Sequence, residues 1–314
     1  MTHKPICWSP QPLWGVPKAL PEDWQWVFGH LPPENYPLVT GLIVNGSDGY
    51  FDATRMAEWP QLRVISSYGI GYDHINVADA TSRNIVVTHT PDVVTQSTAE
   101  MAMALTLALV RNLLVYDRQT RKEGRVLTGS NTALSPELYD KRVGLIGYGR
   151  TGQTIAKLLT PFGVTIQYTR AHGPHPANPQ GYATLNQLLA TSDVVIVIIP
   201  ATPETYHLLG AHQLAMMPRG SYLVNVGRGP VIDESALVDA LNRGHLAGAA
   251  LDVYENEPLV HPGLLQRADV VLSPHRGTST FETRQRMTET AIDNLVQALQ
   301  HHPVRIVPEQ CQGS

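Results

Sequence analysis

Three short segments carry the residue types of a proton-coupled reduction. They are YLVNVGRG (222–229), LDVYENEP (251–258) and LSPHRG (272–277). Each starts as an apolar run with strand character and ends in a loop. Arg228, Asp252, Glu257 and His275 are therefore expected at the carboxyl ends of parallel strands, where open α/β sheets hold their ligands. An Arg guanidinium grips a carboxylate through two parallel hydrogen bonds. A protonated His can give a proton to a carbonyl oxygen as hydride is added to its carbon. A Glu beside that His favours its charged form and fixes its tautomer. Alone, Arg228 reads as a surface Arg, His275 as a satisfied buried His, Glu257 as a strand-exit cap and Asp252 as a turn residue. Together, in G-R-G and P-H-x-G settings, they read as the kit for reducing a 2-oxo acid, with Arg228, Glu257 and His275 catalytic.

A second motif supplies the rest of that chemistry. Residues 142–159 read RVGLIGYGRTGQTIAKLL. A β-branched run meets Gly147, Gly149 and Gly152, and an apolar helical period follows (Ile155, Ala156, Leu158, Leu159). Strand, tight glycine turn and helix N-terminus together make a dinucleotide site, with N–H groups facing a pyrophosphate. The NAD-type ribose acid, expected about 20 residues later, is missing. The second strand instead ends Gln167-Tyr168-Thr169-Arg170. An Arg at that position can pair with a 2′-phosphate, a contact worth about 1.5–3 kcal/mol. NADP(H) is thus the preferred cofactor and NAD(H) remains possible.

Composition sets the limits. The chain has 314 residues, 43% apolar and 16% charged, with a formal net charge of −4. That suits a globular chain with two cores and gives no basic surface for nucleic acid. No run reaches the ~18 apolar residues of a membrane span, and the opening MTHKPICWSP has no apolar core for a secretory signal. Cys7 and Cys311 are the only cysteines and make no disulfide framework, so a cytoplasmic location is expected. His172 and His175 lie in a Pro/Gly-rich loop with no carboxylate or Cys nearby, so no metal site is expected there.

The elements that position these residues are legible in outline. Candidate strands at 5–8, 41–44, 63–66 and 85–88 suggest a small doubly wound parallel sheet. Six more, at 143–146, 164–168, 194–199, 222–225, 248–251 and 270–272, suggest a Rossmann-type dinucleotide-binding sheet. Residues 9–37 show no period and read as irregular. Residues 97–117 are apolar nearly all round and read as one buried helix, 121–140 as a loop or arm, and 282–300 as a helix. The expected division is a discontinuous substrate-binding domain (1–96 with 284–314) and an NAD(P)-binding domain (97–283).

These residues and motifs resemble the D-isomer-specific 2-hydroxyacid dehydrogenases, and among them the NADP-linked glyoxylate and hydroxypyruvate reductases, over essentially residues 40–300. The resemblance implies that Arg228, Glu257 and His275 are the catalytic residues. It implies that Asp252 meets the nicotinamide carboxamide, that Arg150 and Thr151 meet the pyrophosphate, and that Val226 and Gly227 line the nicotinamide side. Pro200 and Thr205 match a loop near the adenosine, and Tyr148, Thr169 and Gly277 join the cofactor contacts. Ile70 and Gly71 of SYGIGYDH match a loop whose N–H groups take the substrate carboxylate, and Asn45 a loop that governs substrate choice. A homodimer is implied as well. Arg170 and Arg276 depart from the family pattern, and Glu257 argues against the formate dehydrogenase branch, which has Gln there. The rival expectations are a reductase of a bulkier 2-oxo acid (2-ketogluconate or an aryl pyruvate) and a non-catalytic dinucleotide-sensing regulator.

Overall fold

The computed structural model describes residues 4–18, 20–126 and 134–311. It divides into two compact units, Met1–Val94 with Thr278–Ser314, and Thr95–Gly277. Each unit is built on one parallel sheet with helices on both faces.

The first unit contains β1 (Ile6–Ser9), β2 (Gln25–Phe28), β3 (Val39–Val44), α1 (Ala53–Met56), β4 (Val64–Ser67), α2 (Val77–Ser82) and β5 (Val86–Thr88). Its strand order is β2-β1-β3-β4-β5. The central strands are apolar at successive positions because both of their faces are covered. Leu42, Ile65 and Val87 pack with Phe51 and Met56 on one face, and Ile43 and Val64 face the late helix on the other. β2 corrects the irregular reading of 9–37. It is a short edge strand, and its signal was a period of two: Trp24, Trp26 and Phe28 stack in a row at 5.9 and 6.2 Å.

The second unit opens with α3 (Thr95–Val110) and α4 (Leu113–Glu123). These replace the single helix expected over 97–117: the axis bends by 60°. α3 buries Ala99, Ala102, Leu105 and Leu109, whereas α4 buries no residue. The apolar surface that held α3 ends at Val110, and Asn112 turns the chain in a left-handed conformation, φ 50°. Of the segment read as a loop or arm, 121–123 is the end of α4, and 127–133 lies outside the described residues.

The second sheet uses β6 (Arg142–Ile146), β7 (Thr165–Thr169), β8 (Val194–Val197), β9 (Ser221–Asn225), β10 (Leu246–Leu251) and β11 (Val270–Leu272). Between them run α5 (Arg150–Leu159), α6 (Leu185–Thr191), α7 (Ala211–Met216), α8 (Glu234–Asn242) and α9 (Pro262–Leu265). The order is β11-β10-β9-β8-β6-β7, and a lone bridge from Tyr168 to Tyr182 extends the β7 edge. The direction of winding reverses between β6 and β8, which places the glycine turn at the switch point of the sheet. Leu145, Ile155 and Leu159 are fully buried beneath that turn, each stabilising the fold by about 1.5–3 kcal/mol. The chain then returns to the first unit through α10 (Phe281–Leu299) and α11 (Pro308–Cys311).

Candidate active site

The turn from β6 into α5 has the shape of an anion cradle. Gly147 has φ 110°, and a Cβ there would meet the Ile198 carbonyl oxygen at 2.6 Å. A Cβ on Gly152 would overlap the Gly147 carbonyl, so strand and helix can approach only without a side chain. Above Gly149 the space is open. Gly149 is the N-cap of α5 and makes no side-chain cap. The first-turn N–H groups, from Arg150, Thr151 and Gly152, have no partner within the helix. A pyrophosphate fits this donor set and its +0.5 helix-end charge. Tyr148 lies flat on buried Tyr168, with centroids 3.7 Å apart. The Tyr168 hydroxyl accepts from the His175 N–H and donates to the Asn178 carbonyl, both at 2.7 Å. The 171–182 loop is thereby tied down, and His175, expected in an exposed loop, is half-buried with its ring edge-on to Tyr148. Thr169 accepts from the Gly147 N–H through its carbonyl. Arg170 follows, half-buried.

Arg228 leaves the end of β9 through a tight loop. The Asn225 side chain accepts from the Gly227 N–H and donates to the Arg228 carbonyl, both at 3.0 Å, and the Arg228 Nη1 donates to the Gly227 carbonyl at 2.9 Å. Val226 is buried beside Gly227. The 200–205 loop is closed by Thr205, whose hydroxyl accepts from the Thr202 N–H and donates to the Pro200 carbonyl, both at 2.8 Å.

His275 and Glu257 meet. Nδ1 of the imidazole lies 2.9 and 3.1 Å from the two carboxylate oxygens, and the side chains are 50% and 38% exposed, so the pair is open to a ligand. A carboxylate only accepts, so Nδ1 carries a proton and Nε2 points away from Glu257. Burial of the Glu257 carboxyl works against its charge. The His275 hydrogen bond and charge, the Tyr254 N–H and the Arg228 guanidinium outweigh that and hold it below the ordinary Glu value.

Asp252 is 2% exposed. Its Oδ1 accepts from the Ser273 hydroxyl at 2.6 Å and the Arg276 N–H at 2.7 Å, and its Oδ2 from the Gly277 N–H at 2.7 Å. The carboxylate is thus engaged on both sides of His275. It fixes the imidazole-bearing loop, in which His275 takes φ 53°, a left-handed conformation costing about 1–2 kcal/mol. Arg276 is exposed.

In the first unit, Asn45 caps a turn: its Oδ1 accepts from the Ser47 N–H at 2.8 Å. Ile70 and Gly71 follow β4 in a loop whose carbonyls are all taken. Thr90 N–H donates to Gly69 O at 2.9 Å, His89 Nδ1 faces Ile70 O at 2.9 Å, and the Ser67 hydroxyl donates to Gly71 O at 2.7 Å. Sequence reasoning missed these holders, and nothing local in THTP marks His89 for the task.

A second His–Glu pair was also missed. His207 Nε2 lies 2.7 Å from Glu255 Oε1. Glu255 Oε2 accepts from the Glu234 N–H, and Glu234 Oε1 from the Glu255 N–H. Glu234 is 3% exposed; burial, then the nearby Glu255 charge, raises its carboxyl above the ordinary value despite backbone donors.

The family model of the D-isomer specific 2-hydroxyacid dehydrogenase NAD-binding domain matches residues 103–277. A glyoxylate reductase of Thermofilum pendens is 43% identical over 79% of this chain and 75% of its own length. A glyoxylate reductase structure from Paecilomyes thermophila aligns with a TM-score of 0.88 and 31% identity, covering 98% of this chain and 99% of that one. An NADPH-dependent glyoxylate/hydroxypyruvate reductase from Sinorhizobium meliloti, solved with NADP and malonate, aligns with a TM-score of 0.87 and 35% identity over 98% and 97% of the two chains. The chain belongs to the D-isomer specific 2-hydroxyacid dehydrogenase family and is an oxidoreductase with that family's NAD-binding domain.

Proposed function

We propose that this protein uses NADPH to reduce a small 2-oxo acid, of the glyoxylate or hydroxypyruvate type, to the D-2-hydroxy acid. The observation that carries the reading is the His275–Glu257 pair at 2.9 Å, set with Arg228 at the carboxyl ends of β9–β11. The relatives named above act on glyoxylate or hydroxypyruvate by name. The Thr95–Gly277 unit is the cofactor-binding domain, and Met1–Val94 with Thr278–Ser314 the substrate-binding domain.

The first turn of α5 holds the pyrophosphate, and Arg170 the 2′-phosphate. Arg170 has no ion pair among the described residues, so it needs no rearrangement to take one. Thr169, Pro200, Thr205, Val226, Gly227 and Gly277 line the same cofactor. A nicotinamide bound there would supply the hydride for the substrate's C2. Arg228 grips the substrate carboxylate and polarises the ketone oxygen, and the Ile70 and Gly71 amides are donors of the kind a carboxylate takes. His275 holds the transferable proton on Nε2 and gives it to that oxygen, and Glu257 keeps Nδ1 protonated and the ring aimed. Asn45 lies on the loop that discriminates among substrates.

A homodimer is the assembly that the resemblance implies, and Leu113, Val126, Leu134 and Tyr139 are exposed apolar side chains that a partner could cover. A reducing cytoplasm suits the unpaired Cys7 and Cys311.

The test is NADPH oxidation against glyoxylate, hydroxypyruvate, pyruvate, phenylpyruvate and 2-ketogluconate. Turnover is expected on the first two, with kcat/KM about 10–100-fold higher for NADPH than NADH. No turnover on any of the five defeats the reductase reading. A tenfold preference for NADH defeats the Arg170 assignment alone.

A further inference from the structure

The loop of residues 69–72 presents its backbone in an unusual way. Three consecutive carbonyls, of Gly69, Ile70 and Gly71, accept hydrogen bonds from Thr90 N–H, His89 Nδ1 and the Ser67 hydroxyl. In a trans peptide the N–H points opposite to the C=O that precedes it. The N–H groups of Ile70, Gly71 and Tyr72 are therefore turned away from those holders, and none has a hydrogen-bond partner among the described residues. Successive N–H groups turned together form a concavity for an anion.

Residues 69–72 are not the first turn of a helix, since α2 starts only at Val77. Two side chains and one backbone N–H hold the carbonyls, and the holder of the middle peptide is an imidazole. A carbonyl oxygen only accepts, so His89 Nδ1 carries the proton and its tautomer is set. The His89 ring is fixed in turn. Its backbone N–H donates to the Arg305 carbonyl and its carbonyl accepts from the Asn294 side chain. The Tyr72 ring meets it edge-on at 5.6 Å. The Tyr72 hydroxyl donates to Glu309 of α11 at 3.0 Å, and burial, followed by that Glu309 bond, pushes the phenol up to about 12, so it stays a donor.

We propose that His89 is the positioning residue of the substrate-carboxylate cradle, and that the cradle has a third donor, the Tyr72 N–H, beyond Ile70 and Gly71. The proposal rests on the reductase reading for the identity of the anion. His89 does not touch the acid. It holds the Ile70–Gly71 peptide in the plane that faces the Gly71 N–H outward, so its loss weakens capture of the carboxylate and leaves capture of the dinucleotide intact.

The test compares His89→Leu, which deletes the donor, with His89→Asn, whose Nδ2 can stand where Nδ1 stood. For His89→Leu, KM for glyoxylate is expected to rise about tenfold, the loss of one aligned hydrogen bond, while KM for NADPH stays within twofold. His89→Asn is expected to restore KM for glyoxylate to within about threefold of the parent. Ser67→Ala, which releases the Gly71 carbonyl, is expected to raise the same KM and serves if His89→Leu does not fold. Calorimetric binding of oxalate, which offers carboxylates and no reducible ketone, separates the two readings. If the parent enzyme turns nothing over but oxalate binding weakens in His89→Leu and recovers in His89→Asn, the cradle stands and the reductase reading falls. If turnover is present and neither the folded Leu nor the Ala variant shifts KM or oxalate binding, the cradle proposal is overturned. It is equally overturned if the Asn variant is as impaired as the Leu variant.

Discussion

Among the described residues are two His–Glu pairs whose carboxylates are two residues apart. His275 meets Glu257 at 2.9 Å, and His207 meets Glu255 at 2.7 Å. Both imidazoles sit on left-handed residues, φ 53° and 49°. Each carboxylate also accepts one backbone N–H, from Tyr254 for Glu257 and from Glu234 for Glu255. The difference is in the surroundings. The His275 and Glu257 side chains are 50% and 38% exposed, against 31% and 17% for His207 and Glu255. Glu257 feels the Arg228 guanidinium, whereas Glu255 is locked in a reciprocal hydrogen-bonded exchange with buried Glu234. One pair is open to a ligand. The other braces the 200–209 loop against the exit of β10. The same two functional groups at hydrogen-bond distance therefore sit in different surroundings, and access and neighbouring charge set the two pairs apart.

Replacing one member of each pair breaks or sharpens this contrast. His275→Ala is expected to lower kcat by about 10²–10⁴-fold, the usual span for a general acid, with NADPH affinity by fluorescence titration retained. His207→Ala is expected to leave kcat within about threefold; a loss matching that of His275→Ala would erase the distinction. Next in size, Glu257→Gln is expected to cost about 10–100-fold in kcat/KM, because the neutral amide no longer favours the imidazolium. The carboxyl lies below its ordinary 4.5 in the folded protein. Its share of stability is therefore present above that value and lost as the pH falls through the folded-state value. The parent's thermal midpoint is expected to fall more steeply than the variant's below about pH 4.5.

The bracing pair is read out in stability. His207→Ala is expected to lower Tm by a few degrees, reflecting about 1–2 kcal/mol for a half-buried charged hydrogen bond. The smallest effect is expected of Glu234→Gln. It keeps the oxygen that accepts the Glu255 N–H and removes a carboxyl whose ionisation is disfavoured by burial. A group raised in the folded state contributes stability at low pH that is lost as pH rises through its folded value. The Tm of Glu234→Gln relative to the parent is thus expected to climb between pH 4 and pH 8, by no more than about 1 kcal/mol equivalent. A flat difference would show that Glu234 is ionised without penalty.

Periodicity disclosed most of the fold. Apolar runs at regular intervals marked the inner strands of both sheets, since strands covered on both faces must be apolar at successive positions. β2 escaped notice because it is a four-residue edge strand with partly exposed side chains. The break at Asn112 escaped because an all-round apolar pattern continues through 113–116, while burial stops at Val110. At the site, residue types and glycine settings singled out Arg228, Glu257 and His275. The use of Asp252 to hold the His275 loop, and of His89 to hold the Ile70 carbonyl, left no trace in local pattern. Those bonds join strand ends 24 and 19 residues apart.

What the amino-acid order decided by itself is local. Gly147 permits a positive φ, Gly152 admits a close carbonyl, and Glu257 can reach back three residues to the Tyr254 N–H. Which imidazole faces which carboxylate was settled only by folding. Glu255 and Glu257 are chemically alike and nearly adjacent, and their fates diverge because strand order brings α8 and the 200–209 loop to one and the end of β11 to the other. Side-chain chemistry is a property of a residue, whereas exposure and partner are properties of the packed sheet, and catalysis needs both.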